Sequence, residues 1–153
     1  MRSGKISSIA IGGLMENLID LQQSYKQNQF SIEIRDYISA AEHSFVVHCE
    51  SLLNEFKPYF EKKNQRILIE VLKDGVDKFL PGYISYVFIE IESHLGRHKI
   101  QLRIPIWSCQ RTILGIPIAK KVPGSKVTGT LNTLKNAESV LREFIQDNLE
   151  KGS

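Results

Sequence analysis

Tyr86 to Ile106 reads YVFIEIESHLGRHKIQLRIPI, and the period of this stretch decides the fold. Val87, Ile89 and Ile91 alternate with Phe88, Glu90 and Glu92. Beyond Leu95-Gly96, the residues Ile100, Leu102, Ile104 and Ile106 alternate with Lys99, Gln101, Arg103 and Pro105. A period of two is that of a half-buried strand. With Leu95-Gly96 as a two-residue turn, His94 opposes Arg97, Glu92 opposes Lys99, Ile91 opposes Ile100 and Ile89 opposes Leu102. The branched aliphatics then share one face and an opposite-charge pair sits on the other. A slip of one residue would scatter both sets.

Working outward toward the C-terminus, a third strand is expected over Thr112 to Lys121, with Leu114, Ile116 and Ile118 on one face. Pro117 marks that strand as an edge or a bulge. Val122 to Thr130 is rich in turn formers and leads to a C-terminal helix capped near Thr130. Leu131, Leu134, Ala137, Leu141, Phe144, Ile145 and Leu149 are its expected apolar stripe.

Toward the N-terminus, Pro81-Gly82 ends a helix expected from Gln65 to Leu80, capped by Asn64. The run from Arg66 to Leu72 also fits a strand; the apolar spacing continuing past Gly75 favours helix. Ile11, Leu14, Leu18, Leu21 and Tyr25 recur at steps of three and four over residues 8–25. After Ser31, a plausible N-cap, a longer stripe runs through Ile34, Tyr37/Ile38, Ala41, Phe45, His48, Leu52, Phe56 and Tyr59, with Pro58 expected to end or kink it. The sum is an α+β domain: an N-terminal helical hairpin and third helix, a three-stranded antiparallel meander and a C-terminal helix. Residues 1–153 form one domain in this reading, with 1–62 as the helical hairpin and 64–153 as an α-β-β-β-α core. The long stripe extends over about eight turns, more than three strands need as cover, so residues 8–60 are expected to self-associate.

A chain of 153 residues with 42% hydrophobic and 24% charged residues can bury a core without disulfides or metals. Cys49 and Cys109 form no CxxC pair, so neither a disulfide framework nor a cysteine zinc site is expected. Glu16 interrupts the short apolar run Ile9 to Met15, which excludes an ordinary signal core and points to a cytoplasmic protein.

The net charge of +3 hides an uneven distribution. Residues 1–76 hold nine Lys/Arg against ten Asp/Glu, whereas 77–153 hold eleven against seven. Ser93 to Ala137 contains no acid and carries Arg97, Lys99, Arg103, Arg111, Lys120, Lys121, Lys126 and Lys135. On the register above, Tyr86, Phe88, Glu90, Glu92 and His94 share the hairpin face opposite the aliphatics with Lys99, Gln101, Arg103, Pro105 and Trp107, the two acids neutralising part of its charge. Cations displace counterions from phosphates and rings stack on unpaired bases, so this pattern suits nucleic acid. The loop with Lys120, Lys121 and Lys126 lacks the GxxxxGK[ST] pattern of a nucleotide-hydrolysing loop.

The sequence therefore reads as a non-catalytic, cofactor-free, intracellular binding module for nucleic acid or another polyanion. Its expected contacts are Lys99, Arg103, Arg111, Lys120, Lys121 and Lys126, with Phe88 and Trp107 as stacking rings. The first alternative is a protein–protein adaptor whose basic face meets an acidic surface. The second is a metal-dependent nuclease using the row Glu90, Glu92 and His94, although the further acid and lysine of such sites are not evident.

Overall fold

The computed structural model describes residues 22–93, 98–132 and 137–151. The hairpin read from Tyr86 to Ile106 lies at its centre. Strands β1 (Gln22–Lys26), β2 (Arg66–Asp74), β3 (Ile84–Glu92), β4 (Lys99–Ile113), β5 (Ile116–Pro117) and β6 (Lys126–Asn132) form one antiparallel sheet. Glu92 opposes Lys99, Ile91 opposes Ile100 and Ile89 opposes Leu102 across β3 and β4, as the alternation requires. The expected pairing of His94 with Arg97 lies outside the described residues. The strand order is β1-β6-β4-β3-β2, with β5 folded back on the end of β4.

Two helices, α1 (Ile32–Lys62) and α2 (Ala137–Lys151), cover one face. Ser31 caps α1, its hydroxyl oxygen accepting the Ile34 N–H at 3.2 Å. The helix runs through Pro58 to Lys62 and buries Ile38, Glu42, Phe45, Cys49, Leu52, Phe56 and Phe60. These meet Ile67 and Ile69 of β2, Val87, Ile89 and Ile91 of β3, and Leu102 and Ile104 of β4 in a single core. Leu141, Phe144 and Ile145 of α2 complete it, and Arg142 joins α2 to Glu55 of α1 through an ion pair. Ile38, Phe45, Leu52 and Phe56 of the long stripe are thus buried against the chain's own sheet, while Tyr37 and Tyr59 stay about half exposed.

The helical hairpin and third helix of the sequence reading are not seen. The part of the first expected helix that is described, Gln22–Lys26, is edge strand β1, paired with β6; residues 8–21 lie outside the described residues. The expected third helix is strand β2, paired with β3 from Arg66↔Glu92 to Asp74↔Ile84. Its apolar residues fit both periods, and the β-branched Ile67, Ile69 and Val71 on one face decide for strand once β3 offers a partner. Asn64 does not start a helix; it ends one. At φ 58° it occupies the left-handed region after α1, and the Gln65 N–H reaches back to the Phe60 carbonyl at 2.9 Å.

The expected third meander strand also changes. Thr112 and Ile113 belong to β4, and Leu114 and Gly115, at φ 52° and 80°, form a tight turn into the two-residue β5. Pro117 does sit on an edge. The expected cap at Thr130 lies inside β6, where Val127, Gly129 and Leu131 face the core in alternation with Lys126, Thr128 and Thr130.

Candidate functional site

The sheet face turned away from α1 and α2 is open; among the described residues no helix covers it. Strand alternation places Leu68, Tyr86, Phe88, Glu90, Lys99 and Arg103 on its β2–β4 half. Here Arg103 lies over two rings, its guanidinium carbon 5.4 Å from the Tyr86 ring centre and 5.7 Å from that of Phe88. Phe88 is only 8% exposed although it stands outside the apolar core. Cation–ring attraction of about 0.5–1 kcal/mol holds such an arrangement at a surface.

The other open-face cations of this half are spoken for. Lys99 meets Glu90 at 3.2 Å and Arg66 meets Glu92 at 3.5 Å. Among the described residues no carboxylate pairs with Arg103. The same two pairs engage the carboxylates of the nuclease row, and its His94 lies outside the described residues. Among the described residues no three His, Cys, Asp or Glu side chains gather to hold a metal ion.

The described strands of the acid-free segment lie together in the sheet, while Arg97 and Lys135 lie outside the described residues. Strands β4 and β6 are neighbours, and β6 is flanked by β1, which contains no acid either. Among the described residues, acids on the open face of the strands stand on β2 and β3: Glu70, Asp74, Glu90 and Glu92. The C-terminal end of β4, the start of β6 and the end of β1 meet at one end of this half-sheet. Lys126 and Lys26 lie on its open face, Lys26 opposite Thr128 and Lys126 opposite Thr112. The β5–β6 loop adds exposed Lys120 and Lys121, and Arg111 reaches that loop through the Ser125 hydroxyl at 3.4 Å.

Trp107 is not on the open face. A register shift opposite Ser85/Tyr86 places Pro105 across from Tyr86 and Trp107 across from Ser85, so Ile106 is an extra residue in a bulge. Pro105 has no N–H for the ladder, and the Asn132 side-chain amide donates to its carbonyl at 3.1 Å. The alternation therefore changes face, and Trp107 enters the core with no exposed surface. Tyr25, Phe30 and Phe79 ring it at 6.0–6.2 Å. Its indole N–H donates to the Lys78 carbonyl at 2.8 Å. A buried ring in this setting cannot stack on a base, so the stacking group left on the face is the Arg103–Tyr86–Phe88 set.

On the helix side lies a polar cluster that the sequence reading missed. Glu42, 2% exposed, accepts hydrogen bonds from Lys78 Nζ at 2.7 Å and from the Tyr83 hydroxyl at 2.8 Å, with Lys73 Nζ at 3.7 Å. Burial alone would raise its pKa, but the hydrogen bonds from Lys78 and Tyr83, with the Ser85 hydroxyl close by, outweigh it and hold the carboxyl below the ordinary value. Burial likewise opposes the Lys78 charge, and Glu42 nevertheless pushes its pKa up. Burial and the neighbouring carboxylate both raise that of Tyr83. The Ser85 hydroxyl adjoins the carboxylate without a well-formed hydrogen bond. With Tyr83 3% and Ser85 0% exposed, the cluster has no room for a substrate and acts as a tie between α1 and the 75–83 loop. The signal was present: Glu42 stands four residues after Ile38 and three before Phe45, an acid within an apolar stripe.

No helix among the described residues is long and apolar enough to cross a membrane. Against known proteins, no family model, curated sequence or solved structure matches this chain.

Proposed function

We propose that this chain is a non-catalytic nucleic-acid-binding module that acts inside the cell. Its contact surface is the open face of the β4–β6–β1 half-sheet together with the β5–β6 loop. One observation carries the reading: three neighbouring strands and their connecting loop contain no carboxylate, while they present Lys26, Arg103, Lys120, Lys121 and Lys126. Uncompensated cations on an uncovered surface attract phosphates, and the release of counterions drives binding.

Electrophoretic mobility shift of DNA and RNA at two salt concentrations tests it. The protein should retard nucleic acid at about 50 mM salt and lose affinity steeply by about 200 mM. Replacing Lys120, Lys121 and Lys126 together by Gln should weaken binding and flatten the salt slope by about 2–3, at about 0.7–0.9 per phosphate contact. If neither DNA nor RNA is retarded at the lower salt, the proposal is wrong.

A further inference from the structure

The chemistry of the open face bears on which form of nucleic acid it would take, an inference that rests on the reading just given. Its cations fall in two groups. Lys26 and Lys126 stand at the end where β1, β4 and β6 meet, with Lys120 and Lys121 beside them. Toward the other end of β4 stands Arg103, with Lys99 and Arg66 beyond it held by Glu90 and Glu92. Thr112, the partner of Lys126, stands nine positions after Arg103; with Ile106 taken up in the bulge, eight steps at about 3.2–3.4 Å per residue are about 26–27 Å. Between the two groups the strand face offers Pro105, Ser108, Gln110 and Thr112, neutral side chains.

The groups differ in chemistry. The lysines are mobile point charges suited to phosphate. Arg103 is a planar cation whose inner side rests on the Tyr86 and Phe88 rings, and it is exposed. Among the described residues no carboxylate takes up its charge, and its rotamer freedom is already reduced by the rings. A guanidinium plane is a platform for an aromatic base. The bases of a duplex are stacked on one another and present only their edges in the grooves, so this platform can engage only an unpaired base. Among the described residues no helix or loop rises from the middle of this face to enter a groove.

We propose that the ligand is single-stranded nucleic acid, with one unpaired base stacked on the outer side of Arg103 and the following phosphates led along β4 to Lys26 and Lys126. Stacking is indifferent to base identity, so the face takes mixed sequences.

Fluorescence anisotropy with a labelled mixed-sequence DNA strand of about 12 nucleotides, and with the same strand annealed to its complement, tests this. Wild type should bind the single strand about tenfold more tightly than the duplex. Arg103→Lys keeps the charge and removes the plane. It should weaken single-strand binding about tenfold while leaving duplex binding and the salt slope unchanged. Lys26→Gln with Lys126→Gln should instead weaken both forms and reduce the salt slope. Unaltered circular dichroism and thermal midpoint in each variant separate these effects from misfolding. Equal affinity for the two forms, or an Arg103→Lys variant that binds the single strand as wild type does, overturns the inference while the nucleic-acid reading stands. Failure to bind either form at about 50 mM salt removes that reading and the inference with it.

Discussion

Replacing Lys78 by Met isolates what the buried cluster contributes. The Lys78 side chain is 15% exposed and Met matches its length, so the change removes a charge from a nearly closed site without opening a large cavity. It strands Glu42, 2% exposed, with the Tyr83 hydroxyl at 2.8 Å and Lys73 Nζ at 3.7 Å as its remaining partners. Breaking a buried pair by removing one member costs about 3–5 kcal/mol, and the two remaining partners put this case near the lower end. At about 2–4 °C per kcal/mol for a chain of this size, the thermal midpoint falls by about 6–12 °C.

The pH dependence carries the sharper test. In wild type the Glu42 pKa is below its unfolded value, so its contribution is fully present above about pH 4.3 and lost as pH falls through the folded value. The Lys78 pKa is raised, so its contribution is fully present below about pH 10.4 and lost as pH rises through the folded value. Between those limits the pair adds no pH dependence. In Lys78→Met, burial without the cation raises the Glu42 pKa above the unfolded value, and the sign reverses: the variant gains stability as pH falls toward about 4.3. Urea unfolding followed by circular dichroism should show Lys78→Met at least about 1 kcal/mol more stable at pH 5 than at pH 8, relative to wild type. Adding Glu42→Gln should abolish that difference. A loss below about 1 kcal/mol, or the same loss at both pH values, would refute the argument.

Two further outcomes follow from the core. A Cβ on Gly129 would lie 2.9 Å from Trp107 Cζ3 and closer still to Cζ2 and Cη2, so Gly129→Ala must displace a fully buried indole. It should cost at least about 2 kcal/mol in urea unfolding and redshift the Trp107 emission, and in a Trp107→Leu background it should cost under about 1 kcal/mol. Burial pushes the Cys49 thiol up to about 12 and the Cys109 thiol up to about 11. Neither should react with a thiol reagent at pH 8 before the chain unfolds, and fast labelling in the native state would contradict the buried placement.

What the sequence made legible was whatever depends on short range and on one period. The β3–β4 register followed from Ile89, Ile91, Ile100 and Leu102, because a one-residue slip would turn every aliphatic to the wrong face. Ser31 as the cap of α1 followed from local hydrogen bonding. Segments whose apolar spacing suits both periods were misread. Ile67 to Leu72 became a strand because β3 presented nine residues to pair with, a partner invisible to a local window. Residues 126–132 likewise became β6 through pairing with β4, and β1 exists through pairing with a strand about a hundred residues away. In α1 the stripe read through Ala41 and His48 lies one residue off at those two positions; Glu42 and Cys49 are the buried ones. The acid there is admissible because Lys78 and Tyr83 arrive from the 75–83 loop.

The bulge at Ile106 decides which aromatic chemistry each face receives. Without it, strict alternation would put Trp107 beside Arg103 and Tyr86 on the open face and leave Ser108 and Gln110 pointing at the helices. The extra residue exchanges them. Trp107 turns inward, where Gly129 leaves space for its ring and the Lys78 carbonyl takes its N–H, so one strand secures the loop that carries the Glu42 tie. Ser108, Gln110 and Thr112 turn outward and extend the neutral path from Arg103 toward Lys126. Pro105 makes the exchange possible, since it cannot donate to the ladder and Asn132 captures its carbonyl instead. The acid-free segment thus serves two faces at once. Its aromatic anchor stabilises the helix side, where Arg111 also stands opposite Val127, while Arg103 and Lys126 remain on the open side, Arg103 resting on rings from the neighbouring strand.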